Sequence, residues 1–195
     1  MMNTDTFIKK LRKNKFAIFL FHGVIEKNIS LIRNYTNKHL LADNFYELIK
    51  NLKTNGNPIS IDDIISHKIK NKKLPQYSYA ITFDDGFENN FSIAAPILRE
   101  HHTPATFYVS TNLIEKNLMS WIDQIEYCFD NINSNSLSLP WRSKLYELND
   151  AKSKIQCLTE IRSYVKNNSD LYKPEKIVQT VFEQLRKKIV ISQNN

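Results

Sequence analysis

Residues 80–86 of this 195-residue chain read AITFDDG, an apolar run that ends on Asp84 and Asp85. The apolar half of the run predicts a buried β-strand. Two adjacent carboxylates are tolerated at the end of such a strand only where the chain leaves the sheet toward water, a metal or a substrate. Gly86, one of three glycines, permits a sharp turn at that point. The stretch therefore predicts a functional site at the carboxyl end of a strand.

The segments on either side of this stretch predict a parallel β/α fold. Residues 88–101 carry apolar side chains at helical spacing, namely Phe91, Ala94, Ala95 and Leu98. Residues 16–22 and 104–109 predict further strands, and the first of them ends on His22. The carboxyl ends of parallel strands meet at one edge of a sheet, where β/α enzymes build their active sites. His22 is therefore expected at the same edge as Asp84.

Five segments carry a resemblance to a known family. They are residues 19–24 (FLFHGV), 82–87 (TFDDGF), 95–98 (APIL), 103–109 (TPATFYV) and 121–126 (WIDQIE). In their order and spacing the sequence resembles the polysaccharide deacetylases of carbohydrate esterase family four, of the nodulation-factor deacetylase type. The first and last segments resemble the family's bacterial cell-surface members. The resemblance implies an α/β fold, a partial (β/α) barrel of the deacetylase type with a C-terminal helical segment.

The resemblance also implies a role for each residue of the predicted site. In the family the first aspartate of the pair is the catalytic base and the second is a metal ligand. Carried over, Asp84 is the base and Asp85 is a ligand of a divalent metal, zinc by family inference. A histidine at the place of His22 lies near the family's substrate cleft, which implies substrate binding by His22. Its alternative is a histidine that caps the strand end.

The implied activity is hydrolysis of the carbon–nitrogen bond of an N-acetylated sugar in a polysaccharide. Amide hydrolysis needs an activated water and a polarised carbonyl. A divalent ion supplies both, and an aspartate that is not a ligand can take the proton of the water. The alternative for Asp84 and Asp85 is a helix-capping or turn role. Their position between an apolar strand and an amphipathic helix favours the functional site.

One part of the family's pattern is missing from the sequence. The family completes its metal site with two histidines spaced His-x-x-x-His and takes its general acid from a further histidine. The five histidines here are His22, His39, His67, His101 and His102, and no two have that spacing. His39 and His67 are expected to face solvent, and His101 and His102 to lie at the opposite end of a helix from Asp84. The chain is therefore expected to be a truncated form of the family domain.

The C-terminal part of the sequence has a different character. Residues 1–118 are predicted as the N-terminal part of the deacetylase domain and residues 119–195 as a helical insertion or appendage. Helical periodicity occurs at residues 121–129, 144–166 and 175–189, without a convincing strand, and residues 131–138 predict a linker. The apolar face of 175–189 could pack internally or bind a partner. Trp121, Trp141 and Cys128 are expected to pack in a core.

The charge distribution argues against nucleic-acid binding. The net charge is +7, but residues 74–150, which contain the AITFDDG stretch, carry more acidic than basic side chains. A nucleic-acid channel would require the reverse, whereas a cation site benefits from negative potential. No apolar run is long enough to predict a transmembrane segment. The predicted location is cytoplasmic, with a membrane-peripheral or exported protein as alternatives.

Two functional hypotheses follow. In the first, the protein is a metal-dependent deacetylase acting on a polysaccharide or N-acetylated sugar, completed by a second chain or by self-association. In the second, it is a catalytically inactive fragment or a carbohydrate-binding remnant of the family. The sequence leaves open whether the chain is an enzyme, because Asp85 is the only metal ligand that the resemblance assigns.

Overall fold

A computed structural model describes residues 4–28, 30–133, 135–168 and 173–185. The chain divides into two compact units. The first unit comprises Met1–Asn28 and Asn37–Ser110, and the second comprises Ile29–Thr36 and Thr111–Asn195. The first unit contains the parallel sheet and the second is mainly helical.

The first unit alternates strands and helices. Its strands are β1 (Phe16–Phe21), β2 (Gly23–Ile25), β3 (His39–Leu41), β4 (Asn57–Pro58), β5 (Ser78–Phe83) and β6 (Ala105–Phe107). Its helices are α1 (Asp5–Ile8), α2 (Ala42–Asn55), α3 (Ile61–Lys70), a π-helical segment (Asn90–Ala94) and α4 (Ala95–Glu100). Strands β1, β4, β5 and β6 form a sheet in which every pairing is parallel. The predicted α/β class is confirmed.

Strand β5 is the centre of this sheet. It pairs with β1 along its whole length, from Phe16 opposite Ser78 to Phe21 opposite Phe83. Its other edge pairs with β4 at its beginning and with β6 at its end. All six residues of β5 are buried, as expected for a parallel strand that is covered on both faces.

Helix α2 covers one face of the sheet. Its buried residues Phe45, Leu48, Ile49 and Leu52 share a core cluster with Phe19, Phe21, Ile81 and Phe83. On β1 the side chains alternate, so that Ile18 and Leu20 point away from this core and remain 49% and 53% exposed. Parallel sheets are usually covered on both faces, and the second face of β1 is therefore an open apolar surface.

The segment after the aspartate pair differs from the predicted α-helix. A π-helical segment at Asn90–Ala94 precedes α4. Phe91, predicted on the apolar face, is 79% exposed, whereas Asn90 is buried. A π-turn contains one residue more than an α-turn, so the buried face is displaced from its α-helical position. Ala94 and Leu98 are buried as predicted.

The second unit is built from α5 (Thr111–Glu115), α6 (Trp121–Asp130), α7 (Ala151–Asn167) and α8 (Pro174–Gln184), with a short antiparallel pair of β7 (Ser136–Leu137) and β8 (Tyr146–Glu147). The sequence pattern predicted no strand in this part and a linker at residues 131–138. Both predictions were wrong, because β7 lies within residues 131–138 and pairs with β8. Ile132 and Leu137 belong to the core cluster of this unit. A strand of two residues has no periodicity that a sequence pattern could show.

The core of the second unit contains most of the apolar residues predicted there. Cys128 is a buried free thiol, and Trp121 and Trp141 pack against the core, which confirms those predictions. The apolar face of α8 also lies in this core, with Val178, Val181 and Phe182 buried, so it is not a free partner-binding face. Residues 186–189 of the predicted helix lie outside the described residues. No described helix is both long and apolar enough to cross a membrane.

Candidate functional site

The carboxyl ends of β1 and β5 bring His22 and Asp84 side by side. Phe21 and Phe83 are paired, and the backbone N–H of Asp84 donates to the carbonyl oxygen of Phe21 at 3.0 Å. His22 and Asp84 each follow their strand by one residue and occupy the next position in register. The sheet thus places the two residues at one edge, which is where β/α proteins build their sites.

Strand β6 adds a third residue at the same edge. Phe83 is paired with Phe107, and the backbone N–H of Tyr108 donates to the carbonyl oxygen of Phe83 at 2.7 Å. His22, Asp84 and Tyr108 therefore form a row across three strand ends, which we call the strand-end row. Tyr108 is 50% exposed. Sequence reasoning missed Tyr108, although its position directly after the third parallel strand was a usable signal.

Asp85 and Gly86 form the turn that leads out of β5. Their φ angles are 72° and 75°, in the left-handed region. This conformation has no steric cost for glycine, whereas for an L-residue it costs about 1–2 kcal/mol. Aspartate is among the residues that adopt it more readily than most. The carbonyl oxygen of Asp85 accepts a hydrogen bond from the Ser110 N–H at 3.3 Å, which ties the turn to the segment after β6.

The carboxylates of Asp84 and Asp85 are half-buried, and neither forms a hydrogen bond or ion pair with any residue that the structure describes. The contrast with Asp63 is informative. Its carboxylate contacts Ser60 in a capping box and Lys72 in an ion pair. Hydrogen bonds from Lys72 and then Ser60 lower the pKa of Asp63 to about 2. Asp84 and Asp85 therefore do not cap the following helix, and their oxygens are available to a ligand or to water.

His39 lies beside the turn, contrary to the prediction that it faces solvent. It is half-buried at the start of β3 and packs edge-on against Phe87, with ring centroids 4.7 Å apart. The side-chain amide of Asn89 donates to His39 Nδ1 at 3.4 Å, and Asn89 Oδ1 accepts from the Val24 N–H at 3.4 Å. The three-residue strand β3 is too short to show a periodicity, so the sequence pattern did not reveal this placement.

The other histidines lie elsewhere. His101 and His102 follow α4, as predicted, and His101 packs edge-on against Tyr46. His67 lies on α3, where its Nδ1 is 2.7 Å from the Lys72 carbonyl oxygen. None of these three histidines lies directly at the carboxyl end of β1, β5 or β6. His67 lies on α3, which comes before β5, and His101 and His102 follow the far end of α4, which leads away from the edge that carries the strand-end row.

The described residues do not assemble a metal centre. No group of three or more His, Cys, Asp or Glu side chains comes close enough to hold an ion in the part of the chain that the structure describes. A catalytic zinc site normally has three protein ligands. The residues present at the strand-end row and the turn therefore do not suffice for a zinc site.

Comparison with known families decides where the chain belongs. The sequence model described as polysaccharide deacetylase matches residues 71–178, more than half of the chain. The chain belongs to the polysaccharide deacetylase family. The family resemblance seen in the sequence is thereby confirmed. The match includes Asp84, Asp85 and Tyr108 and extends into the helical part as far as residue 178, whereas His22 and His39 lie outside it.

Solved structures of deacetylases are similar to this chain. A Streptococcus pyogenes deacetylase, PplD, in complex with acetate is 21% identical with a TM-score of 0.47, covering 58% of this chain and 52% of that one. A de-N-acetylase from Aggregatibacter actinomycetemcomitans is 19% identical with a TM-score of 0.42, covering 74% of this chain and 50% of that one. IcaB from Ammonifex degensii is 17% identical with a TM-score of 0.47, covering 60% of this chain and 49% of that one. The chain spans about half the length of these proteins. No curated protein matches it.

Proposed function

We propose that this chain carries the base of a site that removes acyl groups from N-acylated sugars of a polysaccharide. The observation that supports this most is the strand-end row. Asp84 lies between His22 and Tyr108 at the carboxyl edge of a parallel sheet. Its half-buried carboxylate has no partner among the described residues. Such a carboxylate can accept the proton of an attacking water, which is the task of a general base in amide hydrolysis.

The neighbours of Asp84 suit a sugar substrate. Tyr108 is half-exposed and offers an aromatic face and a hydroxyl group at the edge of the row. An aromatic ring of this kind contributes apolar contact area with one polar end, which matches the mixed surface of a pyranose ring. His22 lies on the other side of Asp84 and can donate or accept a hydrogen bond with a sugar hydroxyl or acyl oxygen. We assign substrate contacts to both side chains.

We further propose that the complete site uses a divalent metal, zinc, with Asp85 as one ligand. Since the described residues do not supply three ligands, the remaining ligands would come from outside them, for which we propose a second chain or a second copy of this chain. The open apolar face of β1, with Ile18 and Leu20 about half exposed, is a surface against which such polypeptide could pack. Our proposal therefore has three linked parts: the complete site is a deacetylase site, it depends on a divalent metal, and it needs ligands in addition to those that the described residues supply.

A carbohydrate-binding protein without activity is the second candidate. The observation that favours it is the same incomplete ligand set among the described residues. It keeps the substrate contacts of His22 and Tyr108 and removes the role of Asp84 as base. For the chain alone both candidates predict sugar binding without acetate release, and they differ in acetate release only when the polypeptide that carries the remaining ligands is present.

The experiment measures acetate release and sugar binding together. The full chain is incubated with N-acetylglucosamine oligomers, with and without added Zn²⁺, beside the variant Asp84→Asn. Zinc-dependent release that disappears in Asp84→Asn would show an enzyme and would overturn our view that ligands are missing. Binding without release is the result we expect for the chain alone. Absence of both binding and release would overturn the proposed function in either form.

A further inference from the structure

The turn that carries Asp84 and Asp85 has to be held by its surroundings. Asp85 and Gly86 are both in the left-handed region, and a strained conformation of a non-glycine residue persists only where the surrounding structure determines it. On the upstream side the sheet does this, through the Asp84 N–H bond to Phe21 and the Ser110 N–H bond to Asp85. These bonds do not fix the backbone after Gly86, where the chain continues into the π-helical segment, so further contacts are expected on this downstream side.

On the downstream side of the turn, residues 38–39 contact the chain at Phe87 and Asn89. His39 packs edge-on against Phe87 and accepts the amide hydrogen bond of Asn89 at 3.4 Å. Lys38 Nζ lies 4.9 Å from the centroid of the Phe87 ring, within the range of a cation–π interaction. Phe87 is the first residue after the turn, so these contacts act directly on its exit.

The backbone at Gly23 shows that this arrangement is closely packed. Gly23 is buried and paired with His39 across β2 and β3. A Cβ atom at Gly23 would collide with His39 Nδ1 and would lie 2.5 Å from Asn89 Oδ1. Asn89 Oδ1 also accepts a hydrogen bond from the Val24 N–H. The amide of Asn89 is thereby oriented so that its Nδ2 atom, the donor, faces His39 Nδ1. The absence of a side chain at residue 23 thus makes room for the His39–Asn89 hydrogen bond.

We propose that His39 is a positioning residue of the candidate site, which fixes the Asp84–Asp85 turn from its downstream side through Asn89 and Phe87. The proposal rests on the proposed function for its biological meaning. Its physical content, that His39 orders the turn, is independent of activity. His39 acts through its neighbours and is not assigned a contact with substrate.

The test uses amide hydrogen exchange in the full chain, followed by NMR. The N–H of Asn90 donates to the Phe87 carbonyl oxygen at 2.9 Å and that of Ser110 to the Asp85 carbonyl oxygen at 3.3 Å, so both report on the order of the turn. In His39→Leu we expect both amides to exchange about tenfold faster, since the hydrogen bond with Asn89 and the aromatic contact with Phe87 are lost. Amides inside β5 should keep their wild-type rates.

Two comparison variants separate positioning from general packing. His39→Asn retains an acceptor near the Nδ1 position and should restore most of the protection. His67→Leu removes a histidine that also makes one hydrogen bond, to the Lys72 carbonyl oxygen, and should leave both reporter amides unchanged. If His39→Leu does not fold, the variant Asn89→Ala is used in its place, because it removes the partner of His39 in the same hydrogen bond.

The proposal is overturned if the two reporter amides keep their rates in His39→Leu, if His67→Leu accelerates them equally, or if His39→Asn gives no protection beyond that of His39→Leu. Failure in this test would leave the proposed function untouched, because acetate release and sugar binding are measured separately. Conversely, a chain that binds no sugar could still show the ordering effect of His39.

Discussion

The backbone N–H of Asp84 donates to the carbonyl oxygen of Phe21 at 3.0 Å. The pairing of β1 with β5 thereby continues one step beyond the last strand residues, and His22 and Asp84 become neighbours although they are far apart in the sequence. The position of Asp84, the base in our proposal, is set by main-chain hydrogen bonds of a buried parallel sheet. Such positions are more rigid than those on a free loop.

Metal retention tests the ligand count. Asp85 is the one ligand that we propose in this chain, and no three candidate ligands come together among the described residues. We expect the purified full chain to lose zinc on dialysis, because a site with one carboxylate leaves the other positions to water. Elemental analysis that finds about one zinc per chain after dialysis would show that ligands exist which we have not identified.

Asp85→Asn should leave the melting temperature unchanged or raise it. Asparagine adopts the left-handed backbone of residue 85 at least as readily as aspartate, and the substitution removes the repulsion between two adjacent carboxylates. The matched comparison is Asp150→Ala, which removes a carboxylate that caps α7 through Ser153 and should lower the melting temperature. A loss in Asp85→Asn as large as that in Asp150→Ala would mean that the carboxylate of Asp85 has a structural role.

Asp63 should contribute an acid-sensitive part of the stability. Its pKa in the folded chain is lowered from 3.8 to about 2, first by the hydrogen bond from Lys72. A carboxyl with a lowered folded-state pKa stabilises the protein above its unfolded-state value and loses that contribution as the pH falls through the folded-state value. The difference in unfolding free energy between wild type and Asp63→Asn should therefore be constant above about pH 5 and shrink toward pH 2. A difference that does not change with pH would contradict the assignment.

Gly23→Ala should destabilise the first unit. The added Cβ would collide with His39 and approach Asn89 Oδ1 to 2.5 Å, and overpacking of this kind costs about 1–3 kcal/mol. In a His39→Ala background one of the two obstacles is absent, so the same substitution should cost less. Urea unfolding of the wild type, the two single variants and the double variant measures the coupling. Additive losses would show that Gly23 and His39 do not meet.

The sequence predicted the parts of the site that follow from strand ends. An apolar run that stops on polar residues is a local signal, and it placed His22 and Asp84 at one edge correctly. The position of His39 depends on pairing between β2 and β3, two strands of three residues each, and no local pattern contains that information. Phe91 was misplaced because a π-helical segment shifts the buried face, and the periodicity of apolar residues assumes an α-helix throughout.

Binding of an N-acylated sugar at the strand-end row can be measured by a titration of the full chain with N-acetylglucosamine oligomers, in which the backbone amide signals are followed by NMR. Oligomers of unacetylated glucosamine are the matched control for the acyl group. We predict saturable shifts of the His22, Asp84 and Tyr108 amides, weaker for the control and for the variant Tyr108→Ala. Signals of these three residues that stay in place at saturating oligomer, or shifts confined to the second unit, would contradict the account.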